Sequence, residues 1–132
     1  MKARGMVLMM GVALLGIACS DDTGPGTSGS LKVVLTTPNS GNDGAALVIL
    51  TAPAVPTSVT AASGLALWGG PVATAVDTIA LTGTLSTGTI LTIEVADVRR
   101  VGDYSATLKE VANGDATVGL RDLTGYALTV KQ

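Results

Sequence analysis

The chain has 132 residues, of which 18 are charged, 18 are threonine and 17 are glycine, and it contains neither histidine nor phenylalanine. That length leaves room for one small domain, and a single cysteine excludes an internal disulfide framework. Without histidine there is no Ser-His-Asp triad, no Cys-His pair and no imidazole metal ligand, so the chain is not expected to be an enzyme and no cofactor is expected.

The first eighteen residues stand apart. Lys2 and Arg4 precede an uncharged apolar run from Gly5 to Ala18, which is the layout of a signal peptide. The run is 14 residues long, whereas a helix needs about 20 apolar residues to span a bilayer. It ends in Leu15-Gly16-Ile17-Ala18-Cys19, with small residues just before the cysteine. In this stretch the chain resembles bacterial lipoproteins. The resemblance implies acylation of Cys19, removal of residues 1–18 and anchoring by lipid. Because Ser20 rather than Asp follows the cysteine, it also implies an outer-membrane or cell-surface location. The alternative is an ordinary signal-peptidase cut after the small-x-small sequence Gly16-Ile17-Ala18, with Cys19 incidental.

Loss of residues 1–18 would remove all four methionines and leave six basic against ten acidic side chains, a charge of −4. An acidic surface argues against nucleic acid as a partner, since that recognition needs clustered Lys and Arg. With Cys19, the stretch Ser20 to Ser30 makes residues 19–30 a flexible tether. It is built from Gly, Ser, Asp, Thr and Pro and would have an end-to-end distance of roughly 15 to 20 Å.

From residue 31 to residue 132 short apolar segments alternate with turn clusters, which predicts β-strands. Leu31 to Thr36 alternates, and Asn39 to Gly44 reads as a hairpin turn. Ala45 to Thr51 is continuously apolar, as in a central strand covered on both faces. Pro53 and Pro56 leave Thr57 to Thr60 as an edge segment. Leu65 to Trp68 closes at Gly69-Gly70-Pro71. A strand from Thr74 to Leu81, irregular enough to hold a bulge, ends before a turn from Gly83 to Gly88. Thr89 to Val95, Tyr104 to Lys109, a short strand with Val118 and Leu120, and Tyr126 to Lys131 complete the series. The expected fold is all-β, a single antiparallel β-sandwich of eight or nine short strands. The segment Leu81-Thr82-Gly83-Thr84-Leu85 leading into Leu91-Thr92-Ile93-Glu94-Val95 resembles small immunoglobulin-like or cohesin-like sandwiches. Its core is expected from Val, Leu, Ile and Ala, with threonine on the outer faces.

Few residues could carry chemistry. Glu94, Asp97 and Asp103, with Arg99 and Arg100 among them, form the richest polar cluster. They are weak candidates for calcium, because the arginines repel a cation and the six to eight oxygens it needs are not visible. Asn39 to Gly44 echoes an acidic calcium loop, but Gly41 occupies a ligand position. Asp77 is expected either to face outward or to pair with an arginine, and outward is favoured, since an unpaired buried carboxylate is costly. Tyr104 and Tyr126 are expected in the core, each with its hydroxyl on a backbone partner. Trp68, the only tryptophan, is expected to plug one end of the core; if exposed, it could stack on a sugar or anchor a protein. The functional expectation is a non-catalytic, membrane-anchored module that meets a protein partner through a sheet face or edge strand. A carbohydrate-binding module using Trp68 is the alternative and a metal-assisted hydrolase a remote one.

Overall fold

A computed structural model of the protein describes residues 26–68, 75–115 and 119–132. The expected signal peptide, Cys19, the start of the tether, the Gly69-Gly70-Pro71 turn, Thr74 and Val118 lie outside the described residues. The fold is an all-β sandwich. Its eight strands are β1 (Gly29–Thr36), β2 (Asp43–Thr51), β3 (Ser58–Ala61), β4 (Ala66–Trp68), β5 (Val76–Leu85), β6 (Gly88–Val95), β7 (Ser105–Asn113) and β8 (Ala127–Lys131). They form two antiparallel four-stranded sheets, ordered β3-β6-β1-β8 and β4-β5-β2-β7.

The pairs β4·β5, β3·β6, β2·β7 and β1·β8 nest inside one another, as in a long hairpin wrapped into a double-sheet jelly roll. Apart from the step from β4 to β5, each connection passes from one sheet to the other. Asn39 to Gly44 is therefore not a hairpin turn: β1 and β2 lie in opposite sheets, and this loop is the crossover between them.

Alternation builds the core. Leu31, Val33 and Leu35 from β1 meet Ala46, Val48 and Leu50 from β2, with Ile79, Leu81, Ile93 and Val111 among the other fully enclosed side chains. Tyr104 is the one aromatic buried with them. Small irregularities keep the strands in phase. Strand β5 runs through the expected Gly83–Gly88 turn to Leu85, because Gly83 sits in a bulge opposite Asp43 to Ala45 at φ +127°, where a Cβ would stand 2.6 Å from the Gly64 carbonyl oxygen. The true turn is only Ser86 and Thr87. In β7 a register shift between Leu47 and Val48 leaves Lys109 and Glu110 both exposed, so that Leu108 and Val111 can both face inward. The ninth strand shrinks to one bridge, Leu120 to Ala112.

The two poles of the sandwich are closed differently. At the pole where β1 begins, Thr27 is held between Asp97 and Val98. Its N–H donates to Asp97 Oδ1 at 3.3 Å, and its carbonyl accepts from the Val98 N–H at 2.8 Å. The last residues expected to be free tether are thus part of the fold, and β1 starts at Gly29. Gln132 Nε2 donates to the Val98 carbonyl at 3.1 Å.

At the opposite pole the Asp43 carboxylate is buried, with its side chain fully shielded. Arg121 Nε donates to Oδ1 at 3.0 Å, Thr37 Oγ1 donates to Oδ2 at 2.7 Å, and the Tyr126 hydroxyl lies 2.9 to 3.0 Å from both oxygens. Asn39 Nδ2 in turn donates to the Tyr126 oxygen at 2.9 Å. Tyr126 is half-buried and its hydroxyl serves a carboxylate, not the expected backbone group.

Removing one partner of a buried, hydrogen-bonded pair leaves an uncompensated charge, at a cost of about 3 to 5 kcal/mol. Arg121→Ala should therefore destabilise the domain by roughly 3 kcal/mol in urea unfolding, and Tyr126→Phe by roughly 1 to 3 kcal/mol. A loss below about 0.5 kcal/mol for Arg121→Ala would show that the Asp43 site is not buried in solution.

Candidate functional face

The outer face of the β4-β5-β2-β7 sheet is built by strand parity. In β2, Ala46, Val48 and Leu50 point into the core, which turns Ala45, Leu47 and Ile49 to the other side. That side is only half-buried. Strand β2 is central, as its sequence predicts, but it is covered on one face and not on both.

The same parity explains Trp68. Leu67 lies opposite Leu81 and packs on the core, so Ala66 and Trp68 must face outward. Trp68 is 60% exposed and is not the core plug expected of it. Leu65 and Leu67 already fill that region from within, and their spacing of two is the sequence signal that places Trp68 outside. The indole is held: its Nε1–H donates to Thr82 Oγ1 at 2.7 Å, reaching diagonally across to β5.

Ladder pairing sets Trp68, Ala80, Leu47 and Glu110 in one row across the four strands, with Ala66, Thr82, Ala45 and Ala112 in the next. Small residues in the middle strands, with Trp68 toward one edge and Leu120 and Glu110 toward the other, leave a shallow trench of about 190 Å³. Leu120 is 64% exposed beside it. Sequence reasoning singled out Trp68 but missed Leu47, Leu120 and Glu110, which only the cross-strand register brings together.

The charged segment after β6 is organised otherwise. Val98–Asp103 forms 3-10 turns kinked at Arg100, with Asp97 as N-cap accepting from the Arg99 N–H at 3.1 Å. Arg99 Nε donates to Asp97 Oδ1 at 2.9 Å, Arg100 Nε to Asp103 Oδ2 at 3.0 Å, and the Ser30 hydroxyl to Glu94. Glu94, Asp97 and Asp103 each have their own partner, and among the described residues no group of three or more His, Cys, Asp or Glu is placed to hold a metal ion. Asp77 is half-buried, in phase with the inward-facing Ile79 and Leu81, and not outward as expected. Arg99's side-chain hydrogen bond, with backbone N–H groups of Arg99 and Thr27, holds the Asp97 carboxyl well below the usual carboxylate range.

A second, polar cleft of about 440 Å³ opens at the Asp43 pole between Gly41–Gly44, Gly83–Thr84 and Asn113–Asp115. Gly44 and Gly114 are there for packing, since a Cβ on Gly44 would stand 2.7 Å from Gly114 Cα and one on Gly114 would stand 3.0 Å from the Asn42 carbonyl oxygen, whereas Gly41 faces open space at φ +85°. The Asp43 carboxylate is already engaged by Arg121, Tyr126 and Thr37. Among the described residues no helix is long and apolar enough to cross a membrane. Comparison with protein-family models, with curated proteins and with solved structures finds no match to the chain.

Two measurements follow from this geometry. Trp68 fluorescence should have a solvent-like emission maximum and be quenched freely by acrylamide; a blue-shifted, protected tryptophan would contradict its placement. A carboxyl whose folded-state pKa is depressed contributes stability above its unfolded value near 3.9, and this contribution is lost as pH falls through the lower folded value. Wild type should therefore lose more stability than Asp97→Asn between about pH 5 and pH 2, and parallel acid-unfolding limbs would refute the contribution.

Proposed function

We propose that the protein is a non-catalytic, extracytoplasmic interaction module, tethered to the outer membrane or cell surface through acylated Cys19, that docks a protein partner on the outer face of the β4-β5-β2-β7 sheet. The observation that carries the docking reading is the composition of that face. In its paired rows Leu47, Ile49, Trp68 and Val76 are set among alanine, threonine and Ser105, and the charges are Glu110 and, beside it in the β7 bulge, the exposed Lys109. Large apolar side chains grouped on a sheet exterior mark interaction surfaces, and an aromatic already fixed by a hydrogen bond loses little freedom on binding. The opposite sheet's exterior carries Lys32, Lys131 and Glu94 and has no comparable aromatic.

The tether reading is supported by Lys2, Arg4, the apolar run and the small residues before Cys19. One lipid chain gives only marginal membrane binding and two suffice for stable anchoring, so the acylation implied for Cys19 would be ample. The non-catalytic reading is supported by the missing histidine and by the neighbours that engage Glu94, Asp97 and Asp103. A carbohydrate-binding role is the second reading, favoured by the exposed indole beside the Thr82 hydroxyl.

Cys19→Ala should release the protein from membranes or leave an unprocessed precursor, and unchanged retention with normal processing would overturn the lipid anchor. A photo-crosslinking residue at position 68 should capture a protein on intact cells, whereas the same residue at position 60, on the opposite sheet, should not. Capture only at position 60 would refute the docking face. Displacement of the adduct by added glycans would favour the carbohydrate reading.

A further inference from the structure

We infer that the trench lined by Glu110, with Trp68 beyond it in the same row, takes a basic, apolar peptide segment, with a Lys or Arg side chain at the Glu110 end and aliphatic side chains over Ala80, Leu47 and Ala45. This inference rests on the reading of that sheet face as the docking surface. Its starting point is the charge on the face. Glu110 stands directly opposite Leu47, in the row that ends in Trp68, and lines the trench with Leu120. Among the described residues its carboxylate makes no hydrogen bond or ion pair, unlike those of Asp43, Asp97 and Asp103, whose guanidinium partners are in place. Lys109, its neighbour in the β7 bulge, is exposed but does not line the trench.

A partner that covers the trench must desolvate this carboxylate. Covering it with an uncharged surface would leave a buried, unpaired charge, which is costly unless a cation meets it. Trp68 stands just beyond the trench lining, next to Ala80 in the same row, and the exposed face of its indole has the same preference, since it attracts Lys and Arg. Apart from Glu110 the lining is alanine and leucine, with Thr82 already accepting from Trp68. Hydroxyl-rich ligands would find few partners there, whereas the aliphatic stem of a basic side chain and its apolar neighbours would fit.

Size favours a segment over a second copy of the chain. Four strands spaced about 4.8 Å apart, with four outward rows at intervals of about 6.7 Å, give a face of roughly 500 Å². A stable protein interface needs about 800 Å² from each partner. A short segment laid across the trench needs no more than the face supplies.

The test is selection of short random peptides, displayed on phage, against the full chain in detergent. Enriched peptides should join Lys or Arg to neighbouring apolar residues. A representative synthetic peptide should bind about tenfold more weakly to Glu110→Gln, as expected for a desolvated charge pair, and more weakly still to Trp68→Ala. Selection against Glu110→Lys should enrich acidic peptides instead. The melting temperature of each variant shows that a loss is not unfolding. Binders abolished by Trp68→Ala but lacking basic side chains and indifferent to Glu110→Gln would overturn the cation requirement and leave the docking face standing. Binders indifferent to Trp68→Ala, or no enriched peptide at all, would overturn both. A concentration-dependent dimer that Trp68→Ala dissociates would assign the face to a second copy and overturn the peptide.

Discussion

A buried carboxylate closes this sandwich. Asp43 stands where β1 has just crossed into β2, and its oxygens are reached by groups from three parts of the chain: Thr37 at the end of β1, Arg121 in the segment after β7, and Tyr126 just before β8. The apolar core is non-directional and would accept several strand orders. The carboxylate is directional, because any arrangement that leaves it without donors costs several kcal/mol. Meeting those donors brings the long segment after β7 back to the pole where β1 ends, and β8 then lies against β1 from Lys32 to Thr36. Arg121 Nη2 also donates to the Asn42 carbonyl at 3.3 Å, so the same side chain satisfies a backbone acceptor in the crossover.

Away from that pole the fold is held by alternation, corrected where alternation fails. Strand β7 would turn Glu110 into the core if its pattern ran on from Ala106 and Leu108. One extra residue in the strand restores Val111 to the interior and leaves Glu110 outside. The exposure of Glu110 on the outer face of this sheet is thus a product of the bulge that protects the core. Trp68 is outside for a related reason, since Leu67 claims the one inward position of a strand only three residues long and Leu65, just before it, fills the core beside it.

Much of the secondary structure is legible in the sequence, because period-two alternation and turn residues report local geometry. Leu31 to Thr36, Thr89 to Val95 and Tyr126 to Lys131 fall within one or two residues of β1, β6 and β8. Sheet membership is not legible, since alternation says which side of a strand is apolar and is silent on the strand beside it. Asn39 to Gly44 carries every mark of a hairpin turn, yet it joins opposite sheets. What decides this includes an arginine 78 positions from Asp43. Gly83 looks like a turn and is a bulge, because its unusual backbone is required by the approach of Gly64. The candidate face was half legible: Trp68 stands out as a residue, while Leu47, Glu110 and Leu120 become neighbours only through pairing between strands.

The Val98 backbone gathers both ends of the folded chain, its N–H donating to the Thr27 carbonyl and its carbonyl accepting from Gln132. Entry and exit therefore lie side by side on the pole remote from Asp43. A domain with that arrangement can be inserted into a surface loop of a host protein without prying the loop apart. A fluorescent protein joined at either end would sit clear of the Asp43 pole. A circular permutant that links residue 132 to residue 27 through a few glycines would need to bridge only a short gap, and could be opened instead in the exposed loop around Val55.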